Sequence, residues 1–512
     1  MSPENGPVEP RNSEIWTSLQ ARFEKLREPW LALPAWSSPR PRLVFLAFLA
    51  LFSLAYGYLC ALQIGQINQN RASSDQQHNL ELARESRGDL LPYRTSGVVN
   101  PLWPWLAGKT VVSADAEADA AAFLQGKWLN TGLTLAFCIG LGLWACRRLP
   151  LFPSCTLVAL GGLGALAQRA PFFQPEPLFY VLFFLCTVLG AALLVRNTLP
   201  RYALFGAFCG LCYLAKASVT PFLGIVLALT SAAAILCLWP RLLFFWPSLP
   251  RAWAEQGFSW KRHWLGLGLV LGAFALVILP RGIYSQQHFG SPLHSFPKYW
   301  MWQDDFETES TAFMLNFAEL RDAAKAGGKP LPSAGGYIKA HGWPYFQDRL
   351  VSGSRNALSN FLQPEDRPPW AKQSKKPKPW KHILRYRGYY LGVLGIWTLA
   401  LGAATLAQRV RKPLADPQPA IPQAPGLILL GAGSFVAFTL AYGLYEVIGK
   451  GDRFMLSLYL PIVAAFIFAE RRLLRDLPGR WPALGSALVH VCLLWAVCSR
   501  LGEITRFPFF RD

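Results

Sequence analysis

Asp75 follows the first long uncharged stretch of the chain. It stands in Ser73-Ser74-Asp75, an N-cap cluster before a helix expected over 76–87 and stopped by Gly88. A carboxylate at a helix start is kept ionised by the helix dipole and free backbone N–H groups, so Asp75 could act as general base on a hydroxyl. The competing account is a plain N-cap. His78 lies three positions on, on the same face, but two residues do not make a zinc site. Glu176, between Pro175 and Pro177, could orient an acceptor or help hold a divalent cation, or mark a dipole-favoured helix start. Lys216 stands alone between two apolar stretches. A phosphate at a membrane surface would suit it, as it would suit Arg281 and Arg453, and snorkelling to the interface is the bland alternative.

The elements that position these residues are membrane helices. Of 512 residues, 52% are hydrophobic and 16% charged, against roughly 25% charged in soluble domains. The apolar residues come in blocks. Positions 43–70 contain no Asp, Glu, Lys or Arg, and a spanning helix needs roughly 20 apolar residues. Comparable blocks occupy 128–146, 151–167, 177–195, 202–215, 219–240, 263–280, 388–407, 425–445, 454–469 and 481–499. Backbone groups in lipid must pair within their own segment, so the blocks predict helices and not strands. The expected fold is an all-α polytopic membrane protein with about eleven spans. The first block begins too far into the chain, and is too long, for a cleaved signal peptide.

Basic residues in the short connections set the direction. With the N-terminus cytoplasmic, Arg147, Arg148, Arg196, Arg201, Arg241, Arg251, Lys261, Arg262, Arg409, Arg411, Lys412, Arg471, Arg472, Arg475 and Arg480 fall inside. Only Arg169, Lys216, Lys450 and Arg453 fall in short connections outside. The chain then divides into a cytoplasmic tail over 1–41, with an interfacial amphipathic helix at 13–28, and a spanning core over 42–280. An extracytoplasmic segment covers 281–387 and further spans cover 388–512. The core carries an outer loop at 64–127, with a second short helix expected over 114–127 behind the Ser113 cap and a Pro- and Trp-rich stretch at headgroup level. No secondary structure is legible in 281–387.

That segment closes on 371–387, with seven basic residues and no acid; long outer loops cross regardless of charge. The net charge of +20 is mostly this run plus the inner anchors, which argues against nucleic acid and leaves membrane lipids as the expected contact. All ten cysteines lie in or beside apolar blocks, so no disulfide framework is implied outside. With no Asn-x-Ser/Thr acceptor and no thiol in the outer segments, the expected home is a bacterial inner membrane.

Taken in order, these pieces resemble the GT-C class of membrane glycosyltransferases. That class includes the lipid A aminoarabinose transferases and the dolichyl-phosphate-mannose protein mannosyltransferases. The resemblance is carried by Asp75, the helix after it, Gly88-Asp89 and Asn100-Pro101-Leu102, then by Glu176-Pro177-Leu178-Phe179 and Leu214-Ala215-Lys216. Leu279-Pro280-Arg281 through Phe289-Gly290-Ser291-Pro292, and Asp452-Arg453-Phe454 with Leu460-Pro461, complete it. It implies a polyprenyl-phosphate-linked sugar as donor, its phosphate gripped by Lys216, Arg281 or Arg453. Asp75 and Glu176 are the implied catalytic carboxylates, with inversion at the anomeric carbon. His78, Asp89, Trp103 and Trp302 are the implied contacts to sugar or acceptor, and the acceptor is a lipid, a glycan or a protein. The lipid A type has an acid and a lysine where this chain has Val99-Asn100, which argues against aminoarabinose. Two other classes compete. A transporter or flippase predicts ionisable residues inside spans and broken helices in paired halves; neither is evident, although Lys216 and Glu446 at span boundaries leave room for it, and a membrane scaffold would dock through 281–387.

Overall fold

The computed structural model of the chain describes residues 31, 33–66, 68–72, 74–110, 119–238, 258–362, 387–411, 424–449, 452–477 and 481–506. Among these, the regular structure is entirely helical, as long apolar segments require when water cannot satisfy their backbone. Helix α1 is Pro39–Ile64; two short helices follow, α2 (Ser74–Glu85) and α3 (Leu102–Thr110). Next come α4 (Asp119–Ala145), α5 (Leu151–Gly161) continued by a π turn over Gly162–Leu166, α6 (Glu176–Val195), α7 (Leu199–Ala215), α8 (Thr220–Leu238) and α9 (Trp260–Phe289). The second connecting segment forms α10 (Pro297–Trp300), α11 (Phe306–Leu315), α12 (Phe317–Lys325), α13 (Ala334–His341) and α14 (Trp343–Leu362). The chain ends with α15 (Arg387–Arg411), α16 (Ala424–Leu444), a 3-10 segment over Asp452–Leu458, α17 (Tyr459–Asp476) and α18 (Trp481–Arg506).

Among the described residues, eight helices are long and apolar enough to cross a membrane: α1, α4, α6, α8, α9, α15, α16 and α18. The other three blocks fall short for distinct reasons. Helices α5 and α7 are apolar but shorter, and the block at 454–469 is divided between the 3-10 segment and α17.

Three boundaries differ from the sequence expectation. The separate helix expected over 114–127 is absent from its described part, because Lys127 lies inside α4, which runs unbroken from Asp119; Ser113 and Ala114 lie outside the described residues. Helix α9 continues through Pro280 to Phe289, so Arg281 rides on a spanning helix and not in a loop. The 281–387 segment, illegible in the sequence, forms a series of helices joined by turns and short irregular stretches over 281–362. The tail helix at 13–28 and the basic run up to 386 lie outside the described residues.

Close packing follows small residues. A Cβ on Gly210 of α7 would sit 2.7 Å from Val277 Cβ of α9, and one on Gly266 of α9 would sit 2.5 Å from the Tyr202 ring of α7. Helix α14 enters the bundle antiparallel to α16. Its Gly353 abuts the Gly443 carbonyl, Ser354 Oγ donates to the Thr439 carbonyl at 3.4 Å, and Phe361 meets Phe435 at 6.0 Å between ring centroids. Helix α1 finishes at the upper end of the bundle.

Candidate functional site

The upper end of α1 is held by an unusual cation. Lys127 is fully buried, and its Nζ donates to the carbonyls of Asn68 at 3.1 Å and Ile64 at 3.4 Å. A cation at a helix C-terminus complements the dipole there. Asn68 adopts φ +61°, a region Asn tolerates better than most residues. Its amide exchanges two hydrogen bonds with Gln76, at 2.6 and 2.8 Å. Gln76 is the neighbour of Asp75, which lies half-buried in the first turn of α2, so the Asp75 turn is fastened to the end of α1. His78 pairs with Glu81 at 3.8 Å, and among the described residues no group of three ligands could hold a metal.

Asp89 organises the chain between α2 and α3. Its carboxylate accepts from Arg94 Nε at 2.6 Å and from Tyr93 Oη at 2.9 Å, while its carbonyl accepts from Trp105 Nε1 at 3.1 Å. The hydrogen bond to Asp89 holds the Arg94 guanidinium above its ordinary pKa. Trp103 fills a small core between α2, α3 and the loop before α6, meeting Phe173 edge-on at 5.8 Å. No face of Trp103 is exposed, so its role in this conformation is packing and not sugar stacking.

The Phe173 loop delivers Glu176. Asn130 of α4 donates to the carbonyls of Phe172 at 2.7 Å and Gln174 at 3.0 Å, which fixes the loop where α6 begins. The Glu176 carboxylate then receives Lys216 Nζ at 3.0 Å. Lys216, isolated in the sequence, is therefore not alone: it closes an ion pair whose side chains are 20% and 5% exposed.

One turn before Lys216 lies Tyr213, whose hydroxyl accepts from Arg281 Nη1 at 3.4 Å. Arg281 is almost fully buried, and it also donates to the carbonyls of Pro292 at 3.2 Å and His294 at 2.9 Å. Its guanidinium thus ties α7 and α9 to the second connecting segment. The first connecting segment joins at the same place, because Phe296 N donates to the Gly97 carbonyl at 2.9 Å and the Tyr93 ring meets Tyr284 at 5.7 Å.

The structure therefore joins Glu176 and Lys216 directly, sets Arg281 against Tyr213 one turn from Lys216, and links the Asp75 helix to the Glu176 loop through Trp103 and Phe173. Arg453 lies on the 3-10 segment packed against α6, with its side chain outside the described residues. Trp302 belongs elsewhere, half-buried beside Tyr337 at 6.1 Å and Phe346 at 6.4 Å.

Sequence reasoning left several participants without a role. Lys127 and Asn130 carry a signal, being polar residues at the head of an apolar block. His294 carries none: its ring is buried among Phe289, Phe296 and Phe317 at 4.4 to 4.6 Å, and both ring nitrogens lack a hydrogen-bond partner among the described residues. Burial, with the charges of Lys298, Arg281 and Arg321, lowers its pKa to about 4. In the opposite half of the bundle, buried Glu470 accepts from Trp397 Nε1 and pairs with His490 Nε2, both at 2.9 Å.

Compared with protein-family models, with curated proteins and with solved structures, the chain matches none of them.

Proposed function

We propose that the protein is an integral membrane glycosyltransferase that moves a sugar from a polyprenyl-phosphate donor to an acceptor hydroxyl, with inversion. The observation that supports this best is the Glu176–Lys216 pair, set at the same end of the bundle as the Asp75 helix and the buried Arg281. In this reading the upper end faces away from the cytoplasm and the N-terminus lies inside. Helices α5, α7 and α17 complete eleven crossings, and the membrane is a bacterial inner membrane.

The chemistry follows from charge placement. The donor phosphate docks near Lys216, with Arg453 and Arg281 adding to the positive field. Asp75 takes the proton of the acceptor hydroxyl as that oxygen attacks the anomeric carbon. The bond from the anomeric carbon to the phosphate oxygen breaks, and its electron pair leaves with the polyprenyl phosphate, whose growing negative charge the cations stabilise. The buried pairing with Glu176 holds the Lys216 ammonium at a defined place, so the field is set before substrate arrives.

The test is purified protein in nanodiscs with a polyprenyl-phosphate sugar and membrane extract, scored for transferred sugar. Asp75→Asn should abolish transfer while leaving the protein folded. Full activity in that variant removes Asp75 from the catalytic role.

A second reading, a transporter or flippase, draws support from Glu470 and His490, because buried ionisable pairs inside membrane helices often mark translocation paths. A cleft lined by Phe152, Ile467, Arg471 and Ser486 borders Glu470. Flux of a labelled lipid-linked sugar across proteoliposomes, without transfer, would favour that reading.

A further inference from the structure

Helices α13 and α14 meet at Gly342, whose φ of +85° suits glycine alone among common residues. The corner gathers rings. Trp343 stacks on Phe346 at 5.2 Å, Trp302 stacks on the same Phe346 at 6.4 Å, and His341 stacks on Tyr345 at 5.3 Å. Trp343 and Tyr345 remain 53% and 56% exposed. Hydrogen-bonding groups stand among them: Asp304 lies 3.0 Å from His341 Nε2, and Arg349 covers Tyr337 at 4.6 Å while donating to the Met301 carbonyl.

Anchoring in the lipid headgroups is the usual account of exposed Trp and Tyr in a membrane protein. The course of α14 argues against it here. Gly353 meets Gly443, close to the upper end of α16, and from there α14 descends beside α16 to Phe361 and Phe435. Trp343 precedes Gly353 by almost three turns, or about 15 Å further from the bundle at the helical rise. The headgroup layer is only about 5–8 Å deep on each side of the hydrocarbon. At that height the rings clear a headgroup layer that ends level with the top of α16.

We infer that Trp343, Tyr345 and Trp302, with Asp304 and His341 beside them, form a platform that binds a glycan chain. The open faces of Trp343 and Tyr345 cover the C–H face of a pyranose ring, with the half-buried Trp302 at their edge, and the neighbouring carboxylate and imidazole take its hydroxyls. Acid, base and neutral rings are mixed, so the platform offers no single-sign field for a strongly charged partner. That the bound glycan is the acceptor rests on the transferase reading; binding itself does not.

The experiment titrates full-length protein in nanodiscs with tetrasaccharides of glucose, mannose and N-acetylglucosamine, followed by tryptophan fluorescence and calorimetry. At least one should bind. The double variant Trp343→Ala/Tyr345→Ala should weaken it about tenfold or more, as loss of central aromatic anchors does. Trp343→Phe/Tyr345→Phe should retain binding, which controls for folding. Absence of binding by all three sugars up to about 1 mM, equal binding by the alanine variant, or quenching of Trp343 by brominated lipid would each overturn the inference. Glycan binding without any sugar transfer would sink the transferase reading and leave the platform standing. Sugar transfer without binding of any of the three glycans would do the reverse.

Discussion

Lys216 Nζ lies 3.0 Å from Glu176 Oε1, joining the end of α7 to the start of α6 across 40 residues of chain. The carboxylate is almost wholly buried, and the ammonium offsets part of the cost of burying it. Lys216→Met should lower stability by about 3–5 kcal/mol, because it strips the cation from a buried anion. Lys216→Met/Glu176→Leu should recover most of the loss. Thermal unfolding in detergent measures both, and equal melting of the single and double variants would refute the coupling.

Asn130→Ala should cost about 1–3 kcal/mol, because it leaves the carbonyls of Phe172 and Gln174 without their side-chain donor. Hydrogen exchange should rise across 171–176 in particular, and sugar transfer should fall with it. Exchange confined to α4 would show that Asn130 does not hold the Glu176 loop.

His294 predicts an acid weakness. Its pKa falls from the ordinary histidine value of 6.5 to about 4 in the folded chain. The unfolded chain therefore binds a proton that the folded chain refuses between those values. The stability this gives is complete above about pH 6.5 and is lost as pH falls toward 4. His294→Phe should flatten that dependence and, by removing two unpaired ring nitrogens, match or exceed the wild type at neutral pH by about 1 kcal/mol. Melting curves at pH 7 and pH 4.5 decide it; an unchanged pH slope would contradict the assignment.

Glu470 and His490 should behave as one unit. Either single substitution, Glu470→Leu or His490→Leu, should cost about 3–5 kcal/mol, and the double variant much less than the sum. A double-mutant cycle measures the coupling, expected at about 1–3 kcal/mol; additivity would show that the two do not depend on each other.

Glycine at the α14–α16 crossing is a packing requirement. Gly353→Leu places its side chain against the Gly443 backbone and should destabilise by about 1–3 kcal/mol or more. An unperturbed melting temperature would show that α14 is not seated against α16.

Much of this was readable in one dimension. Lipid rejects charge residue by residue, so the uncharged blocks announced the helices, and Asp75, Glu176 and Lys216 stood out at their edges. Helix lengths were less legible: α9 runs past Pro280 and α4 begins at Asp119, because neighbouring helices, and not apolar composition, carry those turns. What no reading of the chain could supply was partnership. That Lys216 meets Glu176, that Arg281 is sealed under His294, and that Glu470 finds His490 depends on which helix ends come together. A buried charge is tolerable only where a distant segment brings its counterpart, and that meeting is decided by the packing of the bundle.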